Sequence, residues 1–179
     1  MAAPSAPTIR PAEASETPAL AQLWERSARA GFGPLLPGDF AWPAADGARI
    51  AESIAGFDTR VLVADSDDAI AGYATLGPAR DDDLDCGELR SLFVDPSHWR
   101  GGAAHMLVRD GFAWLATAGY DRAIVWSFKA NERANAFYER WGFRADGREA
   151  TLAEFSDLPA WRLAAPLSAP VTRATANAG

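Results

Sequence analysis

Hydrophobic and polar residues alternate along the chain in two different repeats. Apolar runs of five to nine residues, bounded by Gly, Pro, Asp or Ser, predict β-strands. These runs are TIRPA (8–12), TRVLVAD (59–65), AIAGYATLG (69–77), ELRSLFV (88–94), RAIVWSF (122–128) and a final strand or hairpin within 148–167. Only a few polar residues separate the second run from the third, so these two predict an antiparallel hairpin.

Segments with apolar residues three and four positions apart predict four helices. The segments are 15–32, 48–56, 103–119 and 131–143. In the first helix, Ser15 or Thr17 is placed to cap the amino terminus, and one face carries Leu20, Leu23, Trp24 and Ala28. Residues 33–47 contain three prolines and three glycines and predict a loop. Gly56 predicts the end of the second helix.

The third and fourth helices each carry one apolar stripe. The stripes are Ala104, Leu107, Val108, Gly111, Leu115 and Ala118 in the third helix, and Ala134, Phe137, Tyr138 and Trp141 in the fourth. Asn131 is placed to cap the fourth helix, and Gly142 to end it in the left-handed conformation. A strand, a helix and a strand in succession across 88–128 predict a right-handed parallel crossover.

Together these elements predict a mixed α/β fold, mostly antiparallel at first, with one parallel strand pair in the centre of the sheet. A chain of 179 residues is long enough for one domain with a substantial core, which we expect to cover 8–168. Residues 1–7 and 169–179 are rich in Ala, Pro, Ser and Thr and are predicted to be flexible tails.

The composition of the chain argues against several classes of function. The net charge of -7 argues against a nucleic-acid-binding protein, which usually presents a basic face. A single cysteine, Cys86, excludes an internal disulfide, and with two histidines at no ligand spacing it predicts no metal site. No signal peptide and no apolar run of membrane-spanning length is evident, so we expect a cytoplasmic protein that does not bind membranes.

Two adjacent glycines, Gly101 and Gly102, separate the strand ending in FVDP from the third helix. Their uncovered amides and the helix dipole could bind an anion, with Arg100 adding a contact to phosphate. Taken alone, the two glycines favour a plain tight corner. The Lys-Ser/Thr pair of a nucleotide-triphosphate loop is missing, and the three-glycine spacing of a dinucleotide site does not fit.

Two motifs together resemble the GNAT superfamily of acyl-CoA-dependent N-acyltransferases. Its loop reads Gln/Arg-x-x-Gly-x-Gly/Ala after a strand ending in Val-x-Pro, and the matching run here is WRGGAA after FVDP. Its later signature, Asn-x-x-Ala-x-x-Phe-Tyr-Glu-x-x-Gly-Phe, is complete in NERANAFYERWGF (131–143). The resemblance covers 60–143 well. It departs from the family pattern at Trp99, where Gln or Arg is usual.

The resemblance implies a twisted sheet with a splayed parallel pair, helices on both faces, and acetyl-CoA as cosubstrate. It implies that the loop of Trp99, Arg100, Gly101, Gly102, Ala103 and Ala104 binds the diphosphate through its amides. The backbone of Phe93 and Val94 would pair with the pantetheine arm, as an added strand would. Asn131, Asn135 and Tyr138 match positions near the cofactor. Homodimers occur among similar proteins.

The resemblance also implies the catalytic groups. Tyr138 would protonate the departing thiolate, since a tyrosine keeps its proton at neutral pH. Its place on the apolar stripe leaves a core tyrosine as the alternative. Glu88 would take the proton of the attacking amine, directly or through water; otherwise it is a carboxylate at a strand edge. A covalent route through Cys86 is conceivable, but no histidine is placed to activate the thiol.

The predicted function is transfer of an acetyl group from acetyl-CoA to a primary amine of a small molecule or peptide, by direct attack. A non-catalytic acyl-CoA-binding sensor or interaction module is the alternative. We expect His98 and His105 at the surface and the acidic run 81–85 as a solvated loop, although the run could attract a cationic amine. The aromatic residues at 32, 40 and 42 either line an acceptor pocket or pack internally.

Overall fold

A computed structural model describes residues 6–66 and 69–167, which contain seven strands and four helices. The strands are β1 (Thr8–Pro11), β2 (Arg60–Ser66), β3 (Ala69–Pro78), β4 (Gly87–Val94), β5 (Arg122–Phe128), β6 (Arg144–Leu152) and β7 (Leu158–Pro166). The helices are α1 (Thr17–Phe32), α2 (Gly47–Ala55), α3 (Ala103–Thr117) and α4 (Glu132–Arg140). The predicted tails lie outside the described residues, apart from Ala6 and Pro7.

All seven strands form one sheet in the order β1-β2-β3-β4-β5-β7-β6. Every neighbouring pair is antiparallel except β4 and β5, which are parallel and are joined through α3. The predicted hairpin of β2 and β3 and the predicted mixed sheet with one parallel pair are therefore confirmed. The carboxy-terminal segment forms the hairpin β6–β7, which continues the sheet beyond β5.

Alternation along the strands buries the sheet on both sides. In β2, Val61 and Val63 pack with Leu20 and Leu23 of α1, whereas Leu62 packs in the cluster around α3. The end of α4 and the residues after it, Tyr138, Trp141 and Phe143, join the α3 cluster. Helices α1 and α2 thus cover one face of the sheet, and α3 and α4 cover the other.

The start of α1 differs from the prediction. Neither Ser15 nor Thr17 caps the helix, because a 3-10 turn over Ala14–Glu16 precedes it. The Glu16 carboxylate accepts a hydrogen bond from the backbone N–H of Glu13 at 2.7 Å, and the guanidinium of Arg10 fixes that carboxylate at 2.6 Å. The Glu16 carboxylate thus closes the 3-10 turn, and α1 itself begins without a side-chain cap.

The later helices follow the sequence closely. Asn131 caps α4 by accepting from the N–H of Ala134 at 3.2 Å, and Gly142 has a φ of 84°, as a left-handed helix end requires. In α3 the buried stripe includes Phe112, while Ala118 lies beyond the helix and is exposed. None of the helices in the described segments is long and apolar enough to cross a membrane.

Gly72 of β3 has no room for a side chain. A Cβ there would lie 2.8 Å from the backbone oxygen of Phe93 and 3.0 Å from Val94 Cγ2. We expect Gly72→Ala to lower the free energy of unfolding by about 1–3 kcal/mol, as overpacked core positions do. Chemical denaturation monitored by circular dichroism measures the change.

Gly31→Ala is the matched control, because nothing lies within 4 Å of a Cβ at this helical position. It should raise the free energy of unfolding by roughly 0.5–1 kcal/mol through helix propensity. Equal effects of the two substitutions would contradict the close approach of β3 and β4.

Candidate active site

The two parallel strands of the sheet stay paired over only two residues. Gly87 lies opposite Ala123 and Glu88 opposite Ile124, and no further pair joins β4 to β5. Along β3, Thr75 pairs with Ser91 and Leu76 with Leu89, so Arg90 has no partner and forms a β-bulge. A bulge bends and twists its strand. Beyond Glu88 the facing edges of β4 and β5 therefore do not pair with each other.

The glycine turn lies where β4 leads into α3. Arg100 and Gly102 both have positive φ, 72° and 87°, and Gly102 precedes the helix without a side-chain cap. The first amides of a helix have no intrahelical acceptor, so those of Ala103 and Ala104 are available to an anion. The amide of Gly101 is not, because it donates to the backbone oxygen of His98 at 3.1 Å.

Trp99 turns back toward the sheet. Its Nε1 donates to the backbone oxygen of Val94 at 2.9 Å, so this carbonyl, predicted to pair with the pantetheine arm, already accepts one hydrogen bond. The guanidinium carbon of Arg133, in the first turn of α4, lies 3.3 Å from the centroid of the Trp99 ring. Sequence reasoning missed Arg133, although it lies inside the NERANAFYERWGF motif.

An aromatic cluster covers the opening of the cleft on the α1 face. Phe32 of α1 lies 6.2 Å from Phe93 of β4 and 5.0 Å from Phe128 of β5, measured between ring centroids. Phe155 lies 5.7 Å from Phe32 and 5.4 Å from Phe128. Phe40 contacts both Phe155 and Trp42, so the aromatic residues of the 33–47 loop extend this cluster.

Tyr138 lies on the opposite face, in α4, with 8% of its surface exposed. Its ring packs edge-on against Phe137 and Phe143. Burial raises the pKa of its phenol well above the usual value near 10. The side chain therefore keeps its proton across the neutral and mildly alkaline range.

Glu88 is 2% exposed and ion-paired. Oε1 accepts from Nη2 of Arg80 at 2.6 Å, and Oε2 accepts from Nε and the backbone N–H of Arg80, both at 3.0 Å. The arginine side chain is 55% exposed, and its pairing with Glu88 raises the pKa of the guanidinium. The carboxylate lies where β4 and β5 part, with a cation on both of its oxygens.

Asn131 and Asn135 differ in how much of the side-chain amide is used in hydrogen bonds within the protein. Asn135 uses its whole amide within the protein: Oδ1 accepts from Ser127 Oγ at 2.7 Å and Trp161 Nε1 at 3.3 Å, and Nδ2 donates to the carbonyls of Phe128 and Lys129. Asn135 therefore has no side-chain hydrogen-bond donor left for the predicted contact with a cofactor. Asn131 uses Oδ1 for the helix cap.

Cys86 is buried, and burial raises the pKa of its thiol. A reactive cysteine needs the thiolate, so the environment of Cys86 disfavours a covalent route.

His105 is exposed, and its ring lies 4.8 Å from that of Trp141. Nδ1 of His98 forms a hydrogen bond with Oγ of Ser97.

The acidic run is largely exposed, as expected of a solvated loop, but two of its carboxylates have partners. Asp81 accepts from Trp126 Nε1 at 3.0 Å, and Arg162 of β7 pairs with Asp83 at 3.0 Å and with Asp146 at 2.7 Å. These contacts tie the loop before β4 to the far side of the sheet.

No group of three or more His, Cys, Asp or Glu side chains able to hold a metal ion occurs in the segments 6–66 and 69–167.

A mixed sheet whose one parallel pair parts beside a glycine turn is the fold of the acyl-CoA-dependent N-acetyltransferases. The chain superimposes on the PaiA N-acetyltransferase of Thermoplasma acidophilum in complex with coenzyme A with a TM-score of 0.72 and 13% identity, over 88% of this chain and 98% of that one. For the ribosomal-protein-alanine N-acetyltransferase of Brucella melitensis, the TM-score is 0.72 and the sequence identity is 20%. The match covers 89% of this chain and 99% of that one.

Residues 18–143 match the model of the acetyltransferase (GNAT) family, and the chain belongs to this family. An uncharacterised N-acetyltransferase of Mycobacterium tuberculosis is 36% identical over 100 residues, which are 56% of this chain. The matched region spans 62% of the length of that relative. The predicted family and fold are thereby confirmed.

Proposed function

We propose that the protein transfers an acetyl group from acetyl-CoA to a primary amine by direct attack on the thioester. The observation that carries the proposal is the parting of β4 and β5 directly beyond Glu88, at a helix start whose amides are uncapped. Family membership supports the same conclusion. Acetyl-CoA would supply the activated acyl group.

The residues present fit such a cosubstrate. The amides of Gly102, Ala103 and Ala104 would hold the diphosphate at the positive end of the α3 dipole. The open edge of β4 at Phe93 would pair with the pantetheine amides, as a sheet edge pairs with an added strand. The solved structure from T. acidophilum contains coenzyme A in the same fold.

Tyr138 would act as the general acid. A departing thiolate needs a proton, and a phenol whose pKa is raised by burial retains one to give. None of the hydrogen bonds found in the described part of the chain involves this hydroxyl, so it is free to turn toward the sulfur.

Glu88 would receive the proton of the amine. A lysine-like amine is almost fully protonated at neutral pH, and only its neutral form attacks a thioester. A carboxylate near the reaction site can accept the proton that the amine must lose. Arg80 now occupies both oxygens of Glu88. An incoming ammonium group would replace the guanidinium, and because Arg80 is more than half exposed, the exchange needs only movement of a side chain toward solvent.

The occupied carboxylate is also the observation that favours the alternative, a domain that binds acyl-CoA without catalysis. Release of coenzyme A thiol in the presence of amines separates the two. The amine panel should include amino acids, polyamines, aminoglycosides, lysine peptides and peptides with amino-terminal alanine. Peptides with amino-terminal alanine are included because two similar structures are ribosomal-protein alanine N-acetyltransferases.

Tyr138→Phe should lower kcat by about 10²–10⁴-fold, the usual contribution of a general acid. Coenzyme A affinity should stay unchanged, because the ring still packs against Phe137 and Phe143. Thiol release and calorimetric binding measure the two quantities. Phe137→Leu, one residue away in the same helix, is the control for packing effects. Unchanged turnover of Tyr138→Phe would exclude the acid role.

Glu88→Gln and Arg80→Gln separate a base from a structural ion pair. A base at Glu88 predicts that Glu88→Gln loses turnover by about 10²–10⁴-fold, whereas Arg80→Gln keeps turnover. Parallel losses in both variants would identify a purely structural pair.

A further inference from the structure

A guanidinium group is fixed against the glycine loop from the neighbouring helix. Arg133 belongs to the first turn of α4, and its guanidinium carbon lies 3.3 Å from the centroid of the Trp99 ring. Trp99 is itself held to the end of β4 by the hydrogen bond from Nε1 to the Val94 oxygen. The contact therefore joins the start of α4 to the loop at the mouth of the cleft between β4 and β5.

This cation has no carboxylate partner among the residues that the structure describes, whereas many other arginines do. Arginines with such partners are Arg10, Arg26, Arg29, Arg49, Arg80, Arg109 and Arg162. Desolvation lowers the pKa of the Arg133 guanidinium, with no opposing anion. A guanidinium stacked on a ring keeps its N–H groups at the edge, where they suit phosphate oxygens.

Arg100 is the other cation of the loop, and it is less well supported. Both arginines are exposed, but no hydrogen bond, ion pair or ring contact of the Arg100 side chain is found in the described segments. Ordering a free arginine on a ligand costs side-chain entropy. The stacked Arg133 loses less of that freedom on binding.

We propose that Arg133 donates hydrogen bonds to the diphosphate of acyl-CoA and that Trp99 is the positioning residue that holds it there. A tryptophan thus stands where the family usually has Gln or Arg, and the polar contact comes from α4 instead. This inference rests on the proposed function, because it assumes that the α3 loop binds acyl-CoA.

Isothermal titration calorimetry with coenzyme A and with 3′-dephospho-coenzyme A tests the assignment. Arg133→Gln should weaken both ligands about 10- to 100-fold, the range for losing a hydrogen bond to a charged group. The dependence of affinity on salt should flatten, since one charge contact is lost. Arg140→Gln removes the same charge from the opposite end of the same helix and should bind both ligands as wild type does.

Trp99 variants test the positioning role. Trp99→Phe keeps a ring under Arg133, whereas Trp99→Leu removes it, so Leu should weaken binding more than Phe. In the double variant with Arg133→Gln, Trp99→Leu should add little, because the group it positions is gone.

Equal affinities of Arg133→Gln and Arg140→Gln would overturn the proposal. So would a loss confined to coenzyme A, because the contact would then be with the 3′-phosphate. If wild-type protein bound neither ligand, the proposed function itself would fail. That outcome is distinct from a failure of Arg133 alone.

Discussion

The geometry of the site depends on a strand pair that cannot continue. β4 and β5 pair at Gly87 and Glu88 only, and the bulge at Arg90 interrupts the register of β4 against β3. A continuous parallel pair would consume the backbone groups of both edges. Because the pair ends early, the sheet holds a gap at its centre. The carboxyl end of β4, the α3 amino terminus and α4 all lie beside that gap.

The groups around the gap are held by packing and by charge pairs rather than left mobile. Tyr138 is fixed among aromatic rings in the core of α3 and α4, while the opposite opening is covered by Phe32, Phe93 and Phe128. Glu88 is fixed by Arg80, which belongs to the loop that Arg162 ties to the far strands. The opening on the α1 face is therefore apolar, and the buried carboxylate of Glu88 lies where β4 and β5 part.

The sequence predicted most of the elements because hydrophobic periodicity and caps are local signals. The spacing within NERANAFYERWGF defined α4, its Asn131 cap and its Gly142 end, and the two glycines marked the start of α3. What it could not predict are contacts between distant segments: the bulge at Arg90 arises from the register against β3. The pairing of Arg80 with Glu88 and the turn of Trp99 toward Val94 depend on how loops fold back. Asn135 matched a cofactor position, yet the folded chain uses its amide between β5, β7 and α4.

In the proposed function, the uncapped start of α3 holds the diphosphate of acyl-CoA. Gly102→Asp and Gly102→Asn test it most directly, because both residues tolerate the left-handed backbone and differ in one charge. Calorimetric titration with coenzyme A should show binding to the Asp variant about tenfold or more weaker than to the Asn variant, although an acidic residue stabilises a helix start. Equal affinity of the two variants would contradict the claim.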